Sequence, residues 1–216
     1  SSGTSVFPTA HVRRADFATL PPVDIDVGGE VVEFVDYPAI AKAYAEAIVS
    51  GRDVACKLVI KACQRYLGML EKAADPKNSY YFSANHAIDY CAFVENLRHI
   101  ESGMWELVDA GMPEDERGRI ILEPWQIWIE CAVHGFRRTK TGERLVSTCL
   151  EVVPRKNAKT LKMVGAALFE LVGSNQMGAQ IPIAASSARQ AEETIFSALT
   201  KMVNREPDLI EKFELR

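Results

Sequence analysis

The residues best placed to do chemistry are Lys159 and Thr160, which close the run Val153-Pro154-Arg155-Lys156-Asn157-Ala158-Lys159-Thr160. A lysine followed by a hydroxyl residue suits a phosphate-bearing ligand: the ammonium neutralises phosphate oxygens, and the hydroxyl ligates the magnesium ion that travels with them. Such a pair works where a strand ends in a tight turn and a helix begins, because backbone N–H groups and the positive helix end then face the anion. The charge pattern agrees. From Arg137 to Lys162 there are eight Lys or Arg residues against Glu143 and Glu151, a window of +6 in a chain whose net charge is −4. A local basic window in an acidic protein suits a defined anionic ligand better than a general affinity for polyanions. A solvated basic hairpin accounts equally well for Arg137 to Arg144.

The pattern around the pair predicts the elements that hold it. Ser147 to Val153 is rich in β-branched and apolar residues and reads as a strand. Leu161, Val164, Leu168 and Leu171 recur at helical spacing, Ala179 to Ala185 reads as a second strand, and Ala188, Ala191, Ile195, Ala198 and Met202 align on a further helix. Strand, loop, helix, strand, helix predicts an α/β fold in which helices cover a parallel sheet. Upstream, an apolar helix is expected after Pro124, from Trp125 to Phe136, with a turn at Thr141-Gly142. Before it, three helices are expected: one capped by Asp36 and stopped by Gly51, one from Asp53 to about Asp75, and one from about Asn85 to Glu101. Residues 1–35, with Pro8, Pro21, Pro22, Gly28 and Gly29, read as an extended arm. The acidic, Gly- and Pro-containing stretch from Asp109 to Gly118 marks a boundary, so the expected division is 1–35, 36–118 and 119–216.

Composition limits the alternatives. Hydrophobic residues at 48% and charged residues at 25% are the balance of a globular chain. No apolar run approaches the roughly 18 residues that span a bilayer, and the polar start has no basic region followed by an apolar stretch, so the expectation is a cytoplasmic protein. The cysteines, Cys56, Cys63, Cys91, Cys131 and Cys149, are widely spaced with no C-x-x-C pair; they predict buried thiols rather than a zinc site.

Against G-x-x-x-x-G-K-[ST], Val153 stands at the first glycine position and Ala158 at the second. The run nevertheless resembles the V-P-R-K-N-G-K-[ST] form of the Walker A loop in the large subunit of tailed-bacteriophage terminases. Leu122-Glu123-Pro124-Trp125-Gln126 resembles that family's L-x-P-W-Q segment. Ser187-Ala188-Arg189-Gln190-Ala191 resembles the segment after its second strand, and Tyr44 to Gly51 with Ala62-Cys63-Gln64-Arg65 resembles its helical N-terminal region.

The resemblance implies a helical N-terminal region followed by the first half of a P-loop (ASCE-type) parallel-sheet ATPase fold. It implies ATP and Mg2+ as ligands, with Arg155, Lys156, Asn157, Ala158, Lys159 and Thr160 around the phosphates and Thr160 on the magnesium. Gln126 would contact adenine, its amide both donating and accepting. Trp125 would stack near the base or belong to the core. Arg155 matches the family's in-chain arginine finger, a catalytic role; Lys156 would share that task or touch DNA. The implied partners are double-stranded DNA, the small terminase subunit, the portal protein and further copies in a ring, in the host-cell cytoplasm. No acidic strand end for Walker B follows residue 186, and no nuclease carboxylates follow, so the chain reads as part of a longer protein and is expected to bind nucleotide more than hydrolyse it. Two other readings stand beside this one: a non-catalytic assembly module docking through its helical region, and a helicase-like P-loop ATPase.

Overall fold

The structure is a computed structural model, and it describes residues 20–27, 30–99, 118–154, 157–173, 180–184, 186–187, 189 and 192–212. Those within Ser1–Cys91 and Leu122–Cys149 make one compact unit; those within Ala92–Ile121 and Leu150–Arg216 make a second.

The first unit opens on a hairpin. β1 (Val23–Val27) pairs antiparallel with β2 (Glu30–Phe34), Val23 opposite Phe34 and Val27 opposite Glu30. This part of the chain, expected as an extended arm, carries Val-Asp-Ile-Asp-Val alternation and a two-residue Gly28-Gly29 link, the combination that favours a tight hairpin. α1 (Tyr37–Val49) starts where Asp36 accepts the Ala39 N–H at 2.9 Å, with a proline in its first turn. It stops at Ser50, followed by Gly51 at φ +76°, a left-handed position that ends helices at little cost to glycine. Its buried face combines Tyr37, Ile40 and Ile48 with Ala41, Ala45 and Ala47. These small side chains let α2 (Lys57–Ala73) and α4 (Pro124–His134) pack closely against it. A short ribbon of β3 (Tyr80–Phe82) and β4 (Phe136–Arg138) places Phe82 opposite Phe136, which is fully buried among aromatic rings.

α3 (Ala84–Asn96) buries Ala87, Ile88, Tyr90, Cys91 and Val94. In the first unit its Tyr90 stacks on His134, with ring centroids 3.7 Å apart and planes 14° from parallel. In the second unit Leu97 accepts the Ile120 N–H at 2.9 Å, and Arg98 is held by Glu206. The Arg98 backbone N–H donates to one carboxylate oxygen at 2.8 Å and Nη1 to the other at 3.0 Å. Burial pushes the Glu206 carboxyl up from its ordinary value, and Arg98 pulls it part of the way back. α5 (Lys159–Leu168) buries Leu161, Val164, Ala167 and Leu168, and a π-helical turn continues it through Phe169–Gly173. Gly165 stands where a β-carbon would be 3.3 Å from Val94, so the close approach of the two helices depends on it. α6 (Ser197–Val203) buries Ala198, Met202 and Val203, and α7 (Pro207–Lys212) follows.

Two expectations are corrected. Residues 147–153, expected as a strand, adopt neither strand nor helix, and the same holds for residues 180–184, the described part of the strand expected over 179–185. Among the described residues both sheets are two-stranded and antiparallel, so no parallel sheet is formed. β-Branched composition expresses fitness for a pleated surface; a strand also needs a neighbour to pair its N–H and C=O groups. Leu150 and Val152, 87% and 85% exposed, have no such surface to lie on. The cysteines also divide: Cys63, Cys91 and Cys131 are buried free thiols, whereas Cys56 and Cys149 are exposed. Cys56 is exposed because it is the residue on which α2 begins, and the Val59 and Leu58 N–H groups there hold its thiol below the usual range. Burial pushes the Cys63 thiol up to about 12.

Candidate functional site

The geometry at residues 153–162 is set by one unusual backbone angle. Ala158 lies at φ 51°, ψ 23°, the left-handed region, and is the one non-glycine residue with positive φ among those described. A β-carbon there crowds the adjoining carbonyl, which is why glycine favours the position. The turn delivers the chain into α5 with Ala158 as the residue before its first turn. Having no polar side chain, Ala158 caps none of the first N–H groups, and the first turn carries no acidic residue. The first backbone bond of the helix runs from the Lys162 N–H to the Ala158 carbonyl at 2.9 Å. The helix therefore presents its N-terminal N–H groups without an anion of its own, the condition under which such an end attracts one.

Lys159 reaches back over the loop. Its Nζ donates to the Val153 carbonyl at 2.7 Å and to the Pro154 carbonyl at 3.0 Å. Asn157 Nδ2 donates to the same Pro154 carbonyl at 3.3 Å. Two side chains thus converge on the start of the loop and fold it into a closed turn. Lys159 and Thr160 are both exposed, so ammonium and hydroxyl stand at the surface of the turn. Arg155 and Lys156 lie outside the described residues.

One ion pair that the sequence reading missed braces this arrangement. Lys162, nine-tenths buried, holds Glu151 through Nζ–Oε2 at 2.6 Å, joining the chain before the loop to the first turn of the helix after it. The other carboxylate oxygen, Oε1, is buried without a hydrogen bond. The eleven-residue separation gave no local signal for this pair. The basic window is accordingly split. Lys162 is structural, Lys159 belongs to the loop, and Arg137, Arg138, Lys140 and Arg144 sit on or beside the β4 turn of the first unit, where Gly142 has φ +70°.

Trp125 and Gln126 also lie in the first unit, at the start of α4. Trp125 is half-buried. Gln126 is 6% exposed, and its Oε1 accepts the Glu123 N–H at 2.8 Å, capping the helix on which it lies. Further along α4, Glu130 and His134 form a buried pair, Nε2–Oε2 3.6 Å, which the sequence reading did not single out. Of the segment after the expected second strand, Ser187 and Arg189 are exposed, and Arg189 pairs with Glu193 at 2.7 Å; Ala188, Gln190 and Ala191 lie outside the described residues. Among the described residues no group of three or more His, Cys, Asp or Glu side chains is placed to hold a metal ion. No helix is long and apolar enough to cross a membrane, again among those described.

The alanine at residue 158 yields a direct prediction. Ala158→Gly removes the steric cost of the left-handed angle, about 1 kcal/mol, and should raise the melting temperature of the second unit by roughly 4–8 °C. A fall in melting temperature would show that the turn is not left-handed in solution.

Residues 124–214 match the family model described as terminase large subunit, ATPase domain. The match spans the Trp125-Gln126 segment, the loop and α5 to α7. No curated protein and no solved structure matches the chain.

Proposed function

With residues 124–214 belonging to the ATPase domain of the terminase large subunit, we propose that the turn at residues 153–160 binds the phosphates of ATP as its magnesium complex. The observation that carries this reading is the left-handed Ala158 opening α5, with Lys159 folded over the turn. The residues fit the ligand on their own chemistry: an uncapped helix start, no acidic side chain in its first turn, and an exposed ammonium beside an exposed hydroxyl. Lys159 exchanges its two carbonyl partners for phosphate oxygens. Thr160 offers its hydroxyl to the magnesium ion, which neutralises phosphate charge when bound. Lys162 and Glu151 keep the two ends of the turn at a fixed separation.

The finer parts of the reading rest on the family and on residue type. Gln126 contacts adenine through the amide nitrogen that the capping bond leaves available, and Trp125 lies against the base. Arg155 supplies the arginine finger and Lys156 a second cation. In this reading the intact protein is a motor ATPase that moves double-stranded DNA into a capsid. It works as a ring on the portal, with a small terminase subunit, in the cytoplasm of the host cell.

Calorimetric titration of the 216-residue chain with Mg-ATP tests the central claim. A saturable, magnesium-dependent heat that ADP shares and adenosine lacks is expected, because the phosphates carry the affinity. No heat at millimolar ATP sinks the proposal and leaves the assembly-module reading in its place.

A further inference from the structure

The first unit carries a second feature that the nucleotide reading does not use. Between α1 and α2 lies a groove of about 620 Å3. Its walls repeat at helical spacing: Lys42 and Glu46 on α1, Leu67, Leu70 and Glu71 on α2, with Phe82 at one end. Lining residues from 38 to 46 on α1 extend over roughly 12 Å of helix, a length that takes two turns of a docked helix rather than a single side chain. The floor is apolar and the rim acidic, Asp36, Glu46 and Glu71 against Lys42.

The same chain carries a surface of opposite character. At the start of α2 and just before it, Leu58 is 76% exposed and Val54 66%, large values for apolar side chains. Arg52, Lys57, Lys61 and Arg65 surround them, all exposed. Lys57, Lys61 and Arg65 recur every four residues and so form one basic stripe beside Leu58. A basic helix with an apolar knob is what an acid-rimmed apolar groove accepts.

We propose that the α1–α2 groove of one copy receives the N-terminal half of α2 from a second copy. Leu58 enters the groove, and Lys57 and Lys61 face Glu46 and Glu71. The two surfaces differ, so the contact is head-to-tail and each copy can both give and receive. It stands on the first unit alone, and Lys159→Ala leaves it unchanged.

Sedimentation velocity on the full chain tests it. The wild type associates reversibly as concentration rises to about 100 µM, and added salt weakens the association. Lys61→Glu and Glu71→Lys each weaken it at least about tenfold, with unchanged melting curves because both side chains are exposed. Mixed one to one, the two variants associate again, since the Lys61 of one meets the Glu71 of the other. A wild type that stays monomeric at 100 µM, or variants that fail to restore association on mixing, would overturn the proposal.

Discussion

Replacing Lys159 by alanine is expected to lower the affinity for Mg-ATP by about 100-fold while leaving the fold intact. A hydrogen bond to a charged group contributes about 1.5–3 kcal/mol, and each 1.4 kcal/mol is tenfold in affinity; an ammonium serving phosphate oxygens sits at the upper end of that range. The cost to stability is small. Without nucleotide the Lys159 Nζ bonds two carbonyls at an exposed turn, where water substitutes readily, so the change in unfolding free energy should stay within about 0.5 kcal/mol. Lys162, three residues on, gives the opposite pattern. It is nine-tenths buried against Glu151, and removing it strands a carboxylate that already has one unsatisfied oxygen, a loss of about 1–3 kcal/mol in stability. Calorimetry and thermal melts on both variants separate the roles. Unaltered Mg-ATP binding in Lys159→Ala would refute the assignment of the loop.

The contrast between these two lysines shows what the sequence could and could not convey. Lys159 was legible because its neighbours are local: the loop, the hydroxyl after it, and the apolar spacing of the helix that follows are all contiguous. Ala158 was legible as a departure, and the backbone angle it adopts is the one a glycine would have taken. The Lys162–Glu151 pair was not legible, because nothing local links residues eleven apart across a turn. The helices were readable from caps and periodicity; Asp36, Gly51 and Pro124 stand where α1 and α4 begin or end. The hairpin β1–β2 carried its signal in alternation and a Gly-Gly link, which the many prolines and glycines of residues 1–35 obscured. Residues 147–153 have strand composition, and composition carries no information about a pairing partner. Gln126 is a subtler case: its type suggests recognition of a base, yet three-residue spacing from Glu123 also makes it a helix cap, and the hydrogen bond shows that it performs the second task.

The largest expected effect on stability lies in the first unit, at Phe136. Its ring is fully buried and meets three others edge-on: Tyr66 at 5.9 Å and 82°, Tyr80 at 6.0 Å and 80°, and Phe82 at 5.1 Å and 71°. Such contacts add to the area a phenylalanine buries, because ring edges and faces carry opposite partial charge. The cluster also explains Gly135. A β-carbon there would lie 2.3 Å from the Phe82 ring and 2.7 Å from the Cys131 carbonyl, so the residue after α4 must be glycine for Phe82 to reach Phe136. Phe136→Ala should therefore cost about 3–5 kcal/mol, a large share of the roughly 5–15 kcal/mol that holds a domain together. Rings on β3 and α2 would lose their common neighbour, and backbone pairing between Phe82 and Phe136 would be left with little packing behind it. Phe93→Ala provides the internal comparison. It breaks a single edge-on contact with Phe169, at 5.4 Å and 70°, from a ring that is only half-buried, and should cost less. Urea unfolding followed by near-ultraviolet circular dichroism measures both. A loss below about 1.5 kcal/mol for Phe136→Ala, or a larger loss for Phe93→Ala, would show that the aromatic cluster is not the core on which the first unit is built.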